Sequence, residues 1–250
     1  MGNKEQEACT AMKLAQRTYL CSLFHGLFGG AADKKMAALL IADETKGALS
    51  WLEESLAHDK EIAAKRIGLS ERTLSECVDE ALACVDKLAS DNDVEGIAAV
   101  LREDYPKLFR VPGDAFVRPW ESPYVSTDGM LFRESTLDVR SFYHDAGFRL
   151  KAEQHFPDDH IAAMMDYLAK MGQRTYEAYA DGDDAATAEL LRTQADFVRK
   201  HVLTWVDAFA DKVVQNDTRA YYAAFAGALA AFAWADGAFA DELARELAAA

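Results

Sequence analysis

Residues 74–88 read LSECVDEALACVDKL. Leu74, Cys77, Val78, Ala81, Val85 and Leu88 recur at i, i+3, i+4 and i+7, the spacing that gathers side chains onto one face of an α-helix. The same period returns in Ile161, Met164, Met165 and Leu168, and again in Val198, Val202, Trp205 and Phe209. Ser70 stands where a cap for the helix carrying Leu74 is expected, and Gly29-Gly30 stand where the first aromatic helix should stop. Pro157 suits a first helical turn, with Asp158 and Asp159 placed near its positive end. No run of alternating β-branched residues and no Asn-Gly hairpin signal competes with this reading. Pattern and punctuation together predict an all-α chain, a single helical bundle of about ten helices.

All five prolines (Pro106, Pro112, Pro119, Pro123 and Pro157) fall in one central window. They divide the chain into a helical part over about 1–109, a proline-rich connection over 110–129 and a second helical part over 130–250. Polar connections at Ser90 to Asp93 and Asp181 to Asp184 read as turns between helices. The stretch from Ala220 to Ala235 is uncharged and rich in alanine. A spanning helix needs ~20 strongly apolar residues, and alanine is too weakly hydrophobic for that, so a central buried helix is expected rather than membrane insertion.

The chain carries 42 acidic against 27 basic residues, a formal net charge of −15. That balance repels nucleic-acid phosphates and anionic lipid and favours cationic partners. Cys9, Cys21, Cys77 and Cys84 show no CxxC spacing, and the last two read as buried core thiols. Cys21 and His25 stand four apart on one helix face, but no second ligand pair accompanies them. The opening MGNKEQEACT has no apolar core of a secretory signal, Gln6 occupies the place where a myristoylation motif wants Ser or Thr, and the chain has no Arg-Arg pair. A cytoplasmic, reduced setting is expected.

Three segments could carry function. Residues 101–124 read LREDYPKLFRVPGDAFVRPWESPY, with Trp120, Ser122 and Tyr124 on a backbone stiffened by Pro119 and Pro123. Rigid backbone with large aromatics can build an apolar groove, or can simply fill the core beneath a loop. Pro157-Asp158-Asp159-His160 could be an acid–histidine pair or a helix start capped by the acids. His155 and His160 lie five apart and do not share a helix face, which suits a metal poorly. Phe197, His201 and Trp205 form the third; His201 lies on the apolar stripe and reads as a satisfied core histidine.

In this order, the three segments resemble the TorD/DmsD family of redox-enzyme maturation chaperones. The resemblance rests on Asp104-Tyr105, Leu108-Phe109 and Pro112-Gly113, then Pro119-Trp120-Glu121-Ser122 and Tyr124, then Pro157 to His160, then Phe197, His201 and Trp205. It is clear from about Leu101 to Phe209, while the aromatic helix Tyr19 to Phe28 is similar with less specificity. Val111, Pro123, Phe156 and Val202 depart from the pattern. The resemblance implies a non-enzymatic chaperone without a catalytic residue, metal or cofactor of its own. It further implies binding of the twin-arginine signal peptide on the precursor of a molybdenum-containing, DMSO-reductase-like oxidoreductase, which is held back from export until its cofactor is inserted. Carried over by position, Trp120, Ser122, Tyr124, Asp159 and His160 would line or support the peptide site, with Tyr19 a weaker addition. Two other readings compete: a metal-dependent hydrolase using His155, Asp159 and His160, and a helical scaffold that binds only the mature partner. The irregular central segment is compatible with a monomer and with a homodimer that exchanges helices.

Overall fold

The computed structural model describes residues 3–249 apart from 69–70, 92, 127–128, 132–133 and 151–156. In chain order its helices are α1 (Asn3–Gly29), α2 (Lys34–Leu40), α3 (Asp43–His58), α4 (Lys60–Ala63), α5 (Leu74–Asp91), α6 (Val94–Tyr105), α7 (Ser122–Val125), α8 (Glu134–Asp145), α9 (Ile161–Ala180), α10 (Asp184–Phe197), α11 (Val206–Asn216) and α12 (Tyr221–Ala249). Two π-helical turns, Pro106–Arg110 and Val198–Val202, interrupt them. Ten of these helices have seven or more residues, and no named strand occurs among the described residues. The all-α expectation holds.

The stripe on α5 is buried as its period requires: Leu74, Cys77, Val78, Ala81, Cys84, Val85 and Leu88 all face inward. Its start differs from expectation. Thr73 N–H donates to Glu76 Oε2 at 2.8 Å and Glu76 N–H donates to Thr73 Oγ1 at 3.2 Å, a reciprocal capping box. Ser70 lies outside the described residues. The two predicted turns are helix–helix connections, and Asp93 and Asp183 cap α6 and α10 by accepting from Gly96 N–H and Ala186 N–H.

Helix α12 is long and apolar enough to cross a membrane, yet most of it is buried inside the fold. It runs against α3, α5, α10 and α11, as the composition of 220–235 predicts for a central helix. Alanine and glycine bring it close to α5: a Cβ on Gly227 would sit 3.1 Å from Cys77 Cβ. One charge pair lies inside this apolar packing. Arg17 on α1 donates through Nε to Asp236 Oδ1 at 2.7 Å and through Nη2 to Oδ2 at 3.0 Å, with both side chains 3% exposed or less. Cys21 lies beside this pair and its thiol is pushed well up by burial, with the Asp236 charge adding. That environment makes a metal ligand of Cys21 unfavourable.

Helices α1 and α9 pack along each other in opposite directions. A Cβ on Gly172 would touch Thr18, while one on Gly29 would meet Ala162. At the C-terminal end of α1, Phe28 packs on Phe109 and Phe209 with ring centroids 5.7 Å apart in each case. The main core therefore spans both sides of the proline-rich connection, and a second, smaller cluster of Leu14, Leu191, Ala240 and their neighbours joins α1, α10 and the end of α12.

Candidate functional site

The motifs at 119–122 and 157–160 meet edge to edge. Trp120 and His160 form an isolated antiparallel bridge: Ile161 N–H donates to Pro119 O at 2.9 Å and Glu121 N–H donates to Asp159 O at 3.0 Å. Asp159 Oδ2 accepts from Ser122 N–H at 2.7 Å, at the start of α7. Asp159 and Ser122 are both wholly buried, so they hold the seam and are not open to a ligand. Among the described residues Asp159 Oδ1 has no hydrogen-bond partner.

Pro157 does not open the following helix. That helix begins at Ile161, and His160 is its N-cap, with Nδ1 accepting from Ala162 N–H at 3.1 Å. The acids do not cap it either. Asp158 takes Arg140 in an ion pair at 2.5 Å, and its carbonyl accepts from Tyr143 Oη at 3.1 Å. Sequence placed this start too early because a proline followed by two acids imitates a first turn; here the proline and acids build the bridge instead. His160 also turns its ring edge-on to Trp120, with centroids 5.2 Å apart. Burial, with His25 contributing, pulls its pKa down to about 4, so the ring is neutral near pH 7.

The third motif closes on the first two through a residue that sequence reading passed over. Glu121 is buried, and both its carboxylate oxygens lie 3.2 Å from His201 Nδ1. Burial raises the Glu121 pKa, with His201 opposing. The nearby Trp205 donates from Nε1 to His201 O at 2.6 Å. That bond claims a carbonyl at the point where the predicted continuous helix gives way to a π-turn and a break before α11, a local distortion often found at functional sites. His201 is the core histidine expected of it, with Nδ1 on Glu121 and Nε2 3.2 Å from Asp138 Oδ2. Tyr124 stacks on Trp205 at 5.2 Å and donates its hydroxyl to Arg118 O at 2.9 Å.

Beside the bridge lies a cleft of about 480 Å³, within the range of ligand sites. Trp120, His160, Tyr105, Phe109 and Leu150 give it an aromatic and apolar wall, and His25, Arg110 and Asp166 supply polar groups. His25 is fixed by a 2.9 Å bond from Nδ1 to Ala162 O. Of the six predicted site residues, Trp120 and His160 line this cleft, Ser122 and Asp159 support it from beneath, and Tyr124 faces Trp205 instead. Tyr19 lines a different cleft with Tyr176, and its hydroxyl lies 2.7 Å from Thr45 Oγ1. Glu121 and Asp166 were missed, and His25 was weighed only beside Cys21 as a metal ligand. Glu121 had the only legible signal, its place between Trp120 and Ser122. For the hydrolase reading, His155 lies outside the described residues, while Asp159 and His160 are engaged by backbone donors. No group of three metal-ligating side chains occurs among the described residues.

A family model described as nitrate reductase delta subunit matches residues 71–211, more than half of the chain and all three motif segments. The chain belongs to this family. Among similar proteins, a Chaperone protein TorD of Vibrio cholerae is 27% identical over 224 residues, covering 84% of this chain and 99% of its own length. The Chaperone protein TorD of Vibrio parahaemolyticus is 27% identical over 192 residues, covering 76% and 86%. That of Photobacterium profundum is 30% identical over 139 residues, covering 56% and 63%. The resemblance to TorD-type chaperones holds, and the family member described here is a redox-enzyme maturation chaperone, not an enzyme.

Proposed function

We propose that the cleft beside Trp120 and His160 receives the twin-arginine signal peptide of a molybdenum-cofactor oxidoreductase precursor of the DMSO-reductase type. In this reading the chaperone works in the cytoplasm and holds the precursor until its cofactor is in place. The observation that carries the reading is the meeting of the 119–122 and 157–160 motifs at one aromatic-walled cleft, with the third motif buttressing them through Glu121 and His201. An apolar helix laid along such a wall gains affinity by burying its side chains, and the strongly acidic molecule speeds the encounter with a cationic leader. Affinity should therefore fall as salt rises.

The test is a pull-down from source-cell lysate followed by titration of the recovered partner's leader. Recovery of an oxidoreductase precursor that is lost on leader deletion supports the reading, whereas equal retention without the leader replaces it with the scaffold. Trp120→Ala should weaken leader binding by at least tenfold while helicity stays at the wild-type level. An unchanged dissociation constant would remove Trp120 from the site.

A further inference from the structure

Building on the reading above, we infer that Asp166 is the carboxylate that meets the leader's arginine pair, and that the apolar segment runs from there toward Arg110. Asp159 cannot do this, because it is wholly buried and accepts from Ser122 N–H. Asp158 is equally buried and held by Arg140. Among the described residues lining the cleft, Asp166 is the one carboxylate. Its side chain is 30% exposed, and among the described residues it pairs along its own helix with Lys170, itself half exposed.

That pairing can be exchanged. An exposed i,i+4 pair holds weakly, and a guanidinium offers a carboxylate two parallel hydrogen bonds where an ammonium offers a point charge. Lys170 has another neighbour to turn to, since its Nζ already lies 5.9 Å from the Phe148 ring. Asp166 also stands at a junction. It lines a second cleft of about 340 Å³, walled by Tyr143, Phe148 and Tyr167 and edged by Arg149 and Lys170, that shares Leu150 and Ala163 with the first. Two clefts joined at one carboxylate give an extended segment room on either side of its charge.

Direction follows from how α1 and α9 lie. They run antiparallel, with Ala162 beside Gly29 and Gly172 beside Thr18, so Asp166 lies one turn from Ala162 toward the N-terminal half of α1. Arg110 enters the lining with Tyr105 and Phe109, which pack against Phe28 at the opposite end. A cation at that end suits the carbonyl end of a bound helix. His160, neutral at the centre, opposes neither end.

The test uses the full chain and two synthetic fluorescent peptides, each a Leu/Ala-rich stretch preceded by Arg-Arg or by Gln-Gln. Asp166→Asn should weaken the Arg-Arg peptide about tenfold, leave the Gln-Gln peptide unchanged, and be largely rescued by Asp166→Glu. A photocrosslinker at the C-terminal end of the Arg-Arg peptide should label the 105–110 segment and not 163–170. If wild type binds neither peptide, the cleft reading and this inference fall together. If wild type prefers Arg-Arg but Asp166→Asn binds it as well, or loses both peptides equally, Asp166 does not meet the arginines, while the cleft stands. Crosslinks at 163–170 would overturn the direction.

Discussion

The packing around α12 and the seam at Trp120 and His160 are held together by different physics. Around α12, small and apolar side chains at helical spacing bury one another, and one buried ion pair, Arg17–Asp236, stands among them. At the seam hardly any regular structure exists. Backbone groups of Pro119, Glu121, Asp159 and Ile161 bond across a gap of about forty residues, and buried acids tie down the rest. The first region is stabilised by area removed from water, the second by polar groups that are costly to leave unmatched. One consequence is that charge is dispensable in the first region as a pair but not singly, while the seam responds to protonation.

The sharpest way to break this contrast is Arg17→Ala. It leaves Asp236 buried and uncompensated, and should cost about 3–5 kcal/mol in urea unfolding. Replacing both partners, as Arg17→Met with Asp236→Leu, should recover most of that. A small loss in the single variant would mean that water reaches the pair and the core is looser than its packing indicates.

Next in size is the acid response of the seam. The His160 pKa is about 4 in the fold against 6.5 in the open chain. The unfolded chain therefore takes up the proton first, and this contribution is complete above pH 6.5 and lost as pH falls through 4. It amounts to something on the order of 3 kcal/mol. Protonation also removes the Nδ1 acceptor that caps α9. His160→Asn keeps a capping oxygen but no titration, so the difference in stability between wild type and variant should shrink or reverse between pH 6.5 and 4. A constant difference would show the ring to be solvated. Glu121 works in the opposite sense: burial raises its pKa, so its ionised form opposes folding and stability returns as pH drops.

Smallest is Asp159→Ala, which strands Ser122 N–H and should cost about 1–3 kcal/mol, seen as a lower urea midpoint. Leader affinity should fall with it, because Trp120 is then positioned by fewer bonds. A variant of normal stability with normal affinity would show that the bridge alone holds the wall in place.

These two regions were also unequally legible. Helical period gave the α5 stripe, the α9 stripe and the buried character of α12 directly, since each depends on side chains within one element. The seam depends on pairs such as Glu121–His201, eighty residues apart, for which a single sequence carries no spacing signal. Residue types there were suggestive but their tasks were not. Asp159 looks like a ligand for a cation and is an internal tie; His160 looks like a partner for an acid and is an N-cap with an aromatic edge. Ser70 is a reasonable cap by type, but the described start of α5 is a Thr73–Glu76 pair that satisfies two donors, a reciprocity that residue type alone does not signal. Tyr19 shares α1 with His25, but lines a different cleft.

The seam has a bearing on how recognition could be moved between relatives. Trp120 is aligned by Asp159 and Glu121, and Glu121 by His201, so the wall of the cleft is assembled from three stretches that must match at their contacts. A chimera that imports one stretch alone carries a mismatched joint, however well that stretch folds elsewhere. Exchanging 117–125, 157–163 and 197–205 as a block would transplant the joint intact, leaving the α12 scaffold to accept different clients.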